Sequence, residues 1–388
     1  MHFEFSTASR VIFSPGAMAG IGKIAAKFGK TALIVTGKNP DRADGLLRIF
    51  QAQNIRTQVF SVDGEPSIAD IQMGIARARA ARCDLVVGFG GGSALDSAKS
   101  IAALTTNPGD IFNYLEVIGA GKPLISPPLT CIAIPTTAGT GAEVTRNAVL
   151  ASSEHKVKVS IRGEYILPRI ALVDPELTNN LPADVTASSG MDAITQLVEP
   201  FVSTMANPLT DALCREGLHR AARSLEIAYR QGDDPSARVD MCVASLLGGM
   251  ALANAKLGAV HGFAGVLGGM YFAPHGAICA RLLNEVMEAN IQALSNRMPE
   301  SAALIRYTEI ARIVTGNPEA VASDVISWMR KLGAAMRIPG LREYGIQPEN
   351  FKEIIEKAKK ASSMKGNPIE LQEQELYDIL NKSMMAIY

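Results

Sequence analysis

Asp192 and Gln196 stand four residues apart in Gly190-Met191-Asp192-Ala193-Ile194-Thr195-Gln196-Leu197-Val198-Glu199, where Met191, Ile194, Leu197 and Val198 recur at helical spacing. The segment reads as the start of an amphipathic helix. Four residues is about one helical turn, so the two polar side chains stack on one face and can converge on a ligand. His261, in Gly258-Ala259-Val260-His261-Gly262, and His275, in Ala273-Pro274-His275-Gly276, sit among small, apolar neighbours where a bare imidazole needs a partner. One carboxylate, one amide and two imidazoles suit a divalent ion of borderline O/N preference, Fe2+ or Zn2+. The residues alone leave a second reading open. Each histidine could be a core residue satisfied by a backbone carbonyl, and Asp192 a first-turn acid favoured by the helix dipole. His2, His155 and His219 are assigned to the core role.

A second chemistry-bearing stretch is Phe89-Gly90-Gly91-Gly92-Ser93-Ala94-Leu95-Asp96, between a predicted strand and a predicted helix. Glycines at a strand's carboxyl end let backbone approach a pyrophosphate, and the following helix offers free N–H groups and a positive dipole. Ser93 is the expected N-cap, with Asp96 three residues on as in a capping box, so a well-capped turn without a ligand is the competing reading. The first strand-to-helix turn, Thr36-Gly37-Lys38-Asn39-Pro40, lacks the GxGxxG dinucleotide fingerprint. The loop Pro135-Thr136-Thr137-Ala138-Gly139-Thr140-Gly141-Ala142-Glu143-Val144-Thr145 offers hydroxyls suited to ribose, phosphate or carboxamide, although spacing alone favours an ordinary Ser/Thr-rich turn.

The elements that must position these residues change character midway. Predicted strands over 31–36, 57–62, 84–89 and 170–173 alternate with predicted helices over 42–53, 68–81 and 93–104, and a hairpin-like insertion falls near 147–161. Alternation of this kind implies parallel pairing through right-handed crossovers. From about Ala183 strand signals nearly vanish, and helical periodicity dominates over 239–254, 302–314 and 350–360. The expected organisation is an α/β domain over residues 1–180 and a helical domain over 181–388, with a site in the cleft between them.

Composition limits the partners. Lysine plus arginine and aspartate plus glutamate number 38 each in 388 residues, so no net field attracts nucleic acid or anionic lipid. The five cysteines are scattered and form no CxxC pair, which points to reduced, buried thiols in a cytoplasmic protein. Neither a signal peptide nor an uncharged apolar run of ~20 residues is evident, so no membrane partner is expected.

Six segments in order resemble the iron-containing (group III) alcohol dehydrogenases over nearly the whole chain. They are Phe13-Ser14-Pro15-Gly16, Gly90 through Lys99, Thr136 through Thr145, Val173-Asp174-Pro175-Glu176-Leu177, Gly190-Met191-Asp192-Ala193 and Pro274-His275-Gly276. The resemblance implies a Rossmann-like parallel-sheet domain followed by an all-helical domain, in the architecture shared with dehydroquinate synthase. It also implies oxidation of a small alcohol, or reduction of an aldehyde or ketone, with NAD or NADP and Fe2+ or Zn2+, in a dimer or a dimer-based assembly. By the same resemblance Gly91, Gly92 and Ser93 bind pyrophosphate, Thr136, Thr137, Thr140 and Lys158 contact the cofactor, and Gly37 and Asp96 belong to the same cofactor region. Asp192, His261 and His275 match three of the four metal ligands.

Three departures bear on the chemistry. Gln196 stands where the family usually has histidine, which weakens the fourth donor. Gly265 replaces a common further histidine, removing any proton relay through it. Gly37 replaces the aspartate that would repel a 2′-phosphate, and with Lys38 and Arg42 nearby NADP stays open. Competing readings are a metal-independent reductase of the maleylacetate reductase type, a lyase resembling dehydroquinate synthase, and a nucleotide-binding module without catalysis.

Overall fold

The computed structural model describes residues 2–271 and 273–387. Within the first half, strands β1 (Arg10–Phe13), β2 (Thr31–Thr36), β3 (Arg56–Ser61), β4 (Leu85–Gly90) and β5 (Thr130–Pro135) are followed by β6 (Asn147–Ser152), β7 (Val157–Arg162) and β8 (Ile170–Val173). Six of these form one sheet in the order β1-β8-β5-β4-β2-β3, every pairing parallel, while β6 and β7 form a separate antiparallel hairpin. β2 and β4 are buried throughout, which is why they read in the sequence as unbroken apolar runs.

Side chains alternate across this sheet and build two cores. Ile34, Leu85 and Val87 pack with Leu46 and Phe50 of α2 (Asp44–Gln51) and with Ile21 and Ala25 of the short α1 (Ile21–Ala25). Leu33, Val35 and Val86 pack on the other face with Ile71 and Ala78 of α3 (Ile68–Ala80), Ile101 of α4 (Gly92–Thr106), and Leu150 and Val159 of the hairpin. Ser67 starts α3 with a reciprocal cap. Its hydroxyl accepts from the Asp70 N–H at 3.1 Å and its own N–H donates to Asp70 Oδ2 at 2.9 Å.

The second half is helical: α5 (Ala183–Val202), α6 (Pro208–Arg230), α7 (Pro235–Ala255), α8 (Ala259–Tyr271), α9 (His275–Arg297), α10 (Ala302–Thr315), α11 (Asp324–Ala335), α12 (Phe351–Lys360) and α13 (Glu373–Lys382). The chain divides into two compact units. One comprises Ser6–Thr137 with Gly141–Thr178, the other Asn179–Tyr388 with Met1–Phe5 and Ala138–Thr140. Among the described residues α7 alone is long and apolar enough to cross a membrane by length and composition, with a mean hydropathy of 1.3. In this fold 61% of that window is buried, and α7 packs against α5 and α6.

Several local expectations are corrected. Ser93 is not an N-cap: α4 begins at Gly92 with Gly91 in the cap position and no side-chain cap. Asp96 consequently joins no capping box. α5 begins at Ala183, so Asp192 lies in the middle of a helix and not in its first turn. His2, His155 and His219 are exposed, not core residues. Strand β1 carries no signal beyond four residues, and it is placed by pairing with β8. All five cysteines are buried, and none is in a disulfide.

Candidate functional site

In the α/β unit, the chain runs outward from β2 to β3 and returns to β4 on the other side of β2. This is the switch point of an open sheet, where ligands bind outside the strands' carboxyl ends. Gly37 follows β2 and Gly90 ends β4, side by side: a Cβ added to Gly90 would lie 3.4 Å from the Gly37 nitrogen and 2.8 Å from Ala94 Cβ. Gly90 also has φ of +157°, so this position holds glycine on both steric and conformational grounds. Gly91 faces Thr137, whose hydroxyl would be 3.4 Å from an added Cβ, and the Thr136 N–H donates to Gly90 O at 2.9 Å. Gly37, Gly91, Gly92, Ser93, Thr136 and Thr137 are thus gathered at one sheet edge, around the uncapped N-terminus of α4. An uncapped helix start of this kind is an anion site.

Three other residues from the sequence reading lie differently. Asp96 spends one oxygen on Lys99 Nζ at 3.0 Å and the other on the Val149 N–H at 3.1 Å, tying α4 to the hairpin. Lys158 on β7 is buried and paired with Glu65 at 2.8 Å. Thr140 falls in the helical unit, in the short segment where Gly139 abuts Ser189 of α5.

The helical unit assembles the second group. Asp192 and Gln196 are one turn apart on α5, His261 lies on α8, and His275 is the first residue of α9. Gly276 permits this meeting of helices, because a Cβ there would lie 2.6 Å from the Ser188 carbonyl oxygen on α5. Asp192 Oδ1 is 3.5 Å from His261 Nε2 and 3.9 Å from His275 Nε2. Gln196 donates its amide N–H to Asp192 Oδ2 at 2.9 Å. Asp192 Oδ1 and Gln196 Oε1 are left buried without any hydrogen-bond donor. Two bare buried acceptors are costly unless a cation meets them. A divalent ion fits this donor set of carboxylate, amide oxygen and two imidazoles.

Two further residues, inconspicuous in the sequence, join this group. Glu199, 4% exposed, accepts the Val260 N–H at 2.7 Å and faces His261 Nδ1 at 2.7 Å. A carboxylate at Nδ1 keeps the neutral ring's one proton there and turns Nε2 to a metal, the usual outer support of a metal-binding histidine. Cys279, one turn beyond His275 on α9, puts its sulfur 3.7 Å from His275 Nε2 and 3.9 Å from His261 Nε2. The only sequence hints were spacings, seven residues from Asp192 to Glu199 and four from His275 to Cys279.

Charge follows the geometry. Burial alone would raise the Asp192 carboxyl, but the contact with His261 and the charge of His275 outweigh it and hold the group below the usual carboxylate range. Burial works against a His261 cation, and the flanking Cys279, Asp192 and Glu199 overcome it, raising the imidazole well above its ordinary value. Burial pushes the Cys279 thiol up to about 12. With protein groups alone the cluster holds protons that a metal ion would displace.

Comparison with known proteins agrees across both units. Residues 8–175 match the family described as iron-containing alcohol dehydrogenase, and residues 186–384 match its C-terminal family. Alcohol dehydrogenase 4 of Saccharomyces cerevisiae is 38% identical over 360 residues, 91% of each chain. The solved structure of a 1,3-propanediol oxidoreductase superposes with a TM-score of 0.91 at 34% identity, covering 99% of this chain and 100% of that one. That of sulfoacetaldehyde reductase from Bifidobacterium kashiwanohense in complex with NAD+ superposes with a TM-score of 0.87 at 26% identity, covering 99% of each. The chain belongs to the iron-containing alcohol dehydrogenase family and is an oxidoreductase acting on CH–OH groups.

Proposed function

We propose that the protein interconverts a small alcohol and its aldehyde or ketone with NAD(H), at a divalent metal held by Asp192, Gln196, His261 and His275. The observation that carries the metal assignment is the pair of buried acceptors, Asp192 Oδ1 and Gln196 Oε1, with the two imidazole nitrogens close by. When bound, the ion supplies a Lewis acid for the alcohol or carbonyl oxygen, and the nicotinamide supplies the hydride acceptor or donor. Asp192 contributes the negative charge that offsets the dication. Glu199 fixes the His261 ring and its tautomer, and Gln196 fixes the Asp192 carboxylate through its amide N–H.

The α/β unit supplies the cofactor subsite. The backbone N–H groups of Gly91, Gly92 and Ser93 take the pyrophosphate at the α4 N-terminus, and the Thr136 and Thr137 hydroxyls border it. Thr140 and Lys158 complete the cofactor contacts in this proposal. The NAD+ bound in the sulfoacetaldehyde reductase structure supports NAD as the cofactor. Buried cysteines outside any disulfide suit a cytoplasmic enzyme.

The test is elemental analysis of purified protein with NADH and NADPH oxidation on short aldehydes, before and after chelation. Stoichiometric metal with chelator-sensitive turnover, both lost in His261→Ala and His275→Ala, is the expected result. A metal-free protein with undiminished turnover would recast Asp192, His261 and His275 as substrate-binding groups of a metal-independent reductase.

A further inference from the structure

Cys279 has no exposed surface and no role in the proposal above. Its sulfur faces the same two Nε2 atoms that Asp192 Oδ1 faces, at 3.7 and 3.9 Å against 3.9 and 3.5 Å. One donor atom from each of Asp192, His261, His275 and Cys279 lies within 4.8 Å of all the others. Tetrahedral coordination with bonds of ~2.0–2.1 Å to nitrogen and oxygen and ~2.3 Å to sulfur has donor-to-donor edges of roughly 3.3–3.6 Å. The sulfur-to-nitrogen separations exceed their edge by about 0.1–0.4 Å and the oxygen-to-nitrogen ones by about 0.1–0.6 Å, so a small inward shift of each side chain closes the shell.

A purely structural thiol does not account for this arrangement. An S–H carries one proton and can serve one imidazole, whereas two face it at comparable distance. Asp192 Oδ1 would still be buried with no donor. Four donor atoms from three helices thus converge on one point, as they do at a cation site.

We propose that Cys279 is a thiolate ligand of the metal centre, joining Asp192, His261 and His275 and supplying the strong donor that Gln196, with only an amide oxygen, does not. This rests on the metal reading above and deepens it. The thiol proton passes to solvent as the ion binds, so uptake releases a proton. A soft sulfur donor beside two imidazoles selects Zn2+ or Co2+ over Fe2+.

The experiment strips the full-length protein with chelator and titrates it with Co2+, following absorption. A sulfur-to-cobalt charge-transfer band in the near ultraviolet is expected for the wild type. Cys279→Ser should lose that band while its visible d–d bands persist, and should bind the ion at least about tenfold more weakly. Cobalt uptake without the band in the wild type, or a band unchanged by C279S, would overturn the thiolate and leave the metal centre standing. No cobalt uptake at all would overturn both readings. Should C279S fail to fold, X-ray absorption at the zinc edge of the wild-type protein decides without a variant. One sulfur scatterer at ~2.3 Å supports the ligand, and a shell of nitrogen and oxygen only refutes it.

Discussion

Replacing Glu199 by Gln exchanges one oxygen for an NH2 where both oxygens are committed. Oε1 accepts the Val260 N–H and Oε2 faces His261 Nδ1, each at 2.7 Å. Glutamine can satisfy one of them. If its oxygen stays on the backbone, the NH2 faces Nδ1 and drives the neutral ring's proton to Nε2, the nitrogen 3.5 Å from Asp192 Oδ1. If its oxygen stays on the ring, two N–H donors oppose each other in a buried place, at a cost of ~1–3 kcal/mol. Either route raises the free energy of presenting a bare Nε2. The expected loss is ~10–100-fold in metal affinity, the range for a removed outer partner of a metal-binding histidine. That corresponds to about 1.4–2.8 kcal/mol. Side-chain volume is nearly unchanged, so no cavity confuses the result. The assay is competition for Zn2+ against a chromophoric chelator near neutral pH, with circular dichroism to establish the fold. A dissociation constant within about twofold of wild type in a folded E199Q protein would refute the idea that Glu199 sets the tautomer.

Three further outcomes are expected. Gly91→Ala has room for its methyl, with Thr137 Oγ1 3.4 Å away. It should keep the melting temperature while weakening NAD(H) binding at least about tenfold, measured by NADH fluorescence. Ser67→Ala removes the hydroxyl that caps α3 and should cost ~1 kcal/mol in a urea titration, with cofactor affinity unchanged. Glu143 is buried, and burial raises its carboxyl to about 7 from an ordinary 4.5. Because the folded value lies above the unfolded one, the folded state binds the extra proton. This group's stabilising effect is full below pH 4.5 and is lost as pH rises through 7. The change is about 3 kcal/mol. Glu143→Gln should flatten that slope and exceed the wild type in stability at alkaline pH, and an unchanged slope in chemical denaturation would contradict the assignment.

What was legible in the sequence follows from which physical constraint is local. Strands β2, β4 and β8, buried on both faces, show as apolar β-branched runs, and parallel pairing follows from the helices between them. Strand β1 escapes because four residues carry no period and its place depends on pairing with β8. The start of α4 is hidden in the sequence because a hydroxyl next to glycines resembles a cap. Here the cap position is Gly91, and the helix dipole stays unshielded where an anion can use it. α5 begins two turns early because small polar residues over 183–190 hide its start.

The proposed metal cluster shows the same boundary at finer scale. Asp192 and Gln196 could be paired from sequence because a helix turn fixes their separation, and the two histidines stood out by type against a glycine-rich background. Glu199 and Cys279 could not, since a glutamate in a helix and a lone cysteine are ordinary residues until a distant partner gives them a role. Glu199 acquires its role from a ring 62 positions away, and Cys279 from two nitrogens that meet only where Gly276 lets α9 close on α5. Substituting Gly276 should therefore act on the cluster without touching a ligand. An alanine Cβ would lie 2.6 Å from the Ser188 carbonyl oxygen, so α9 must withdraw. His275 and Cys279 move together on that helix, away from Asp192. Gly276→Ala is expected to lose metal affinity by at least as much as Glu199→Gln, with helix content by circular dichroism close to wild type. Full metal binding by G276A would mean that backbone contact does not set the spacing of the donors.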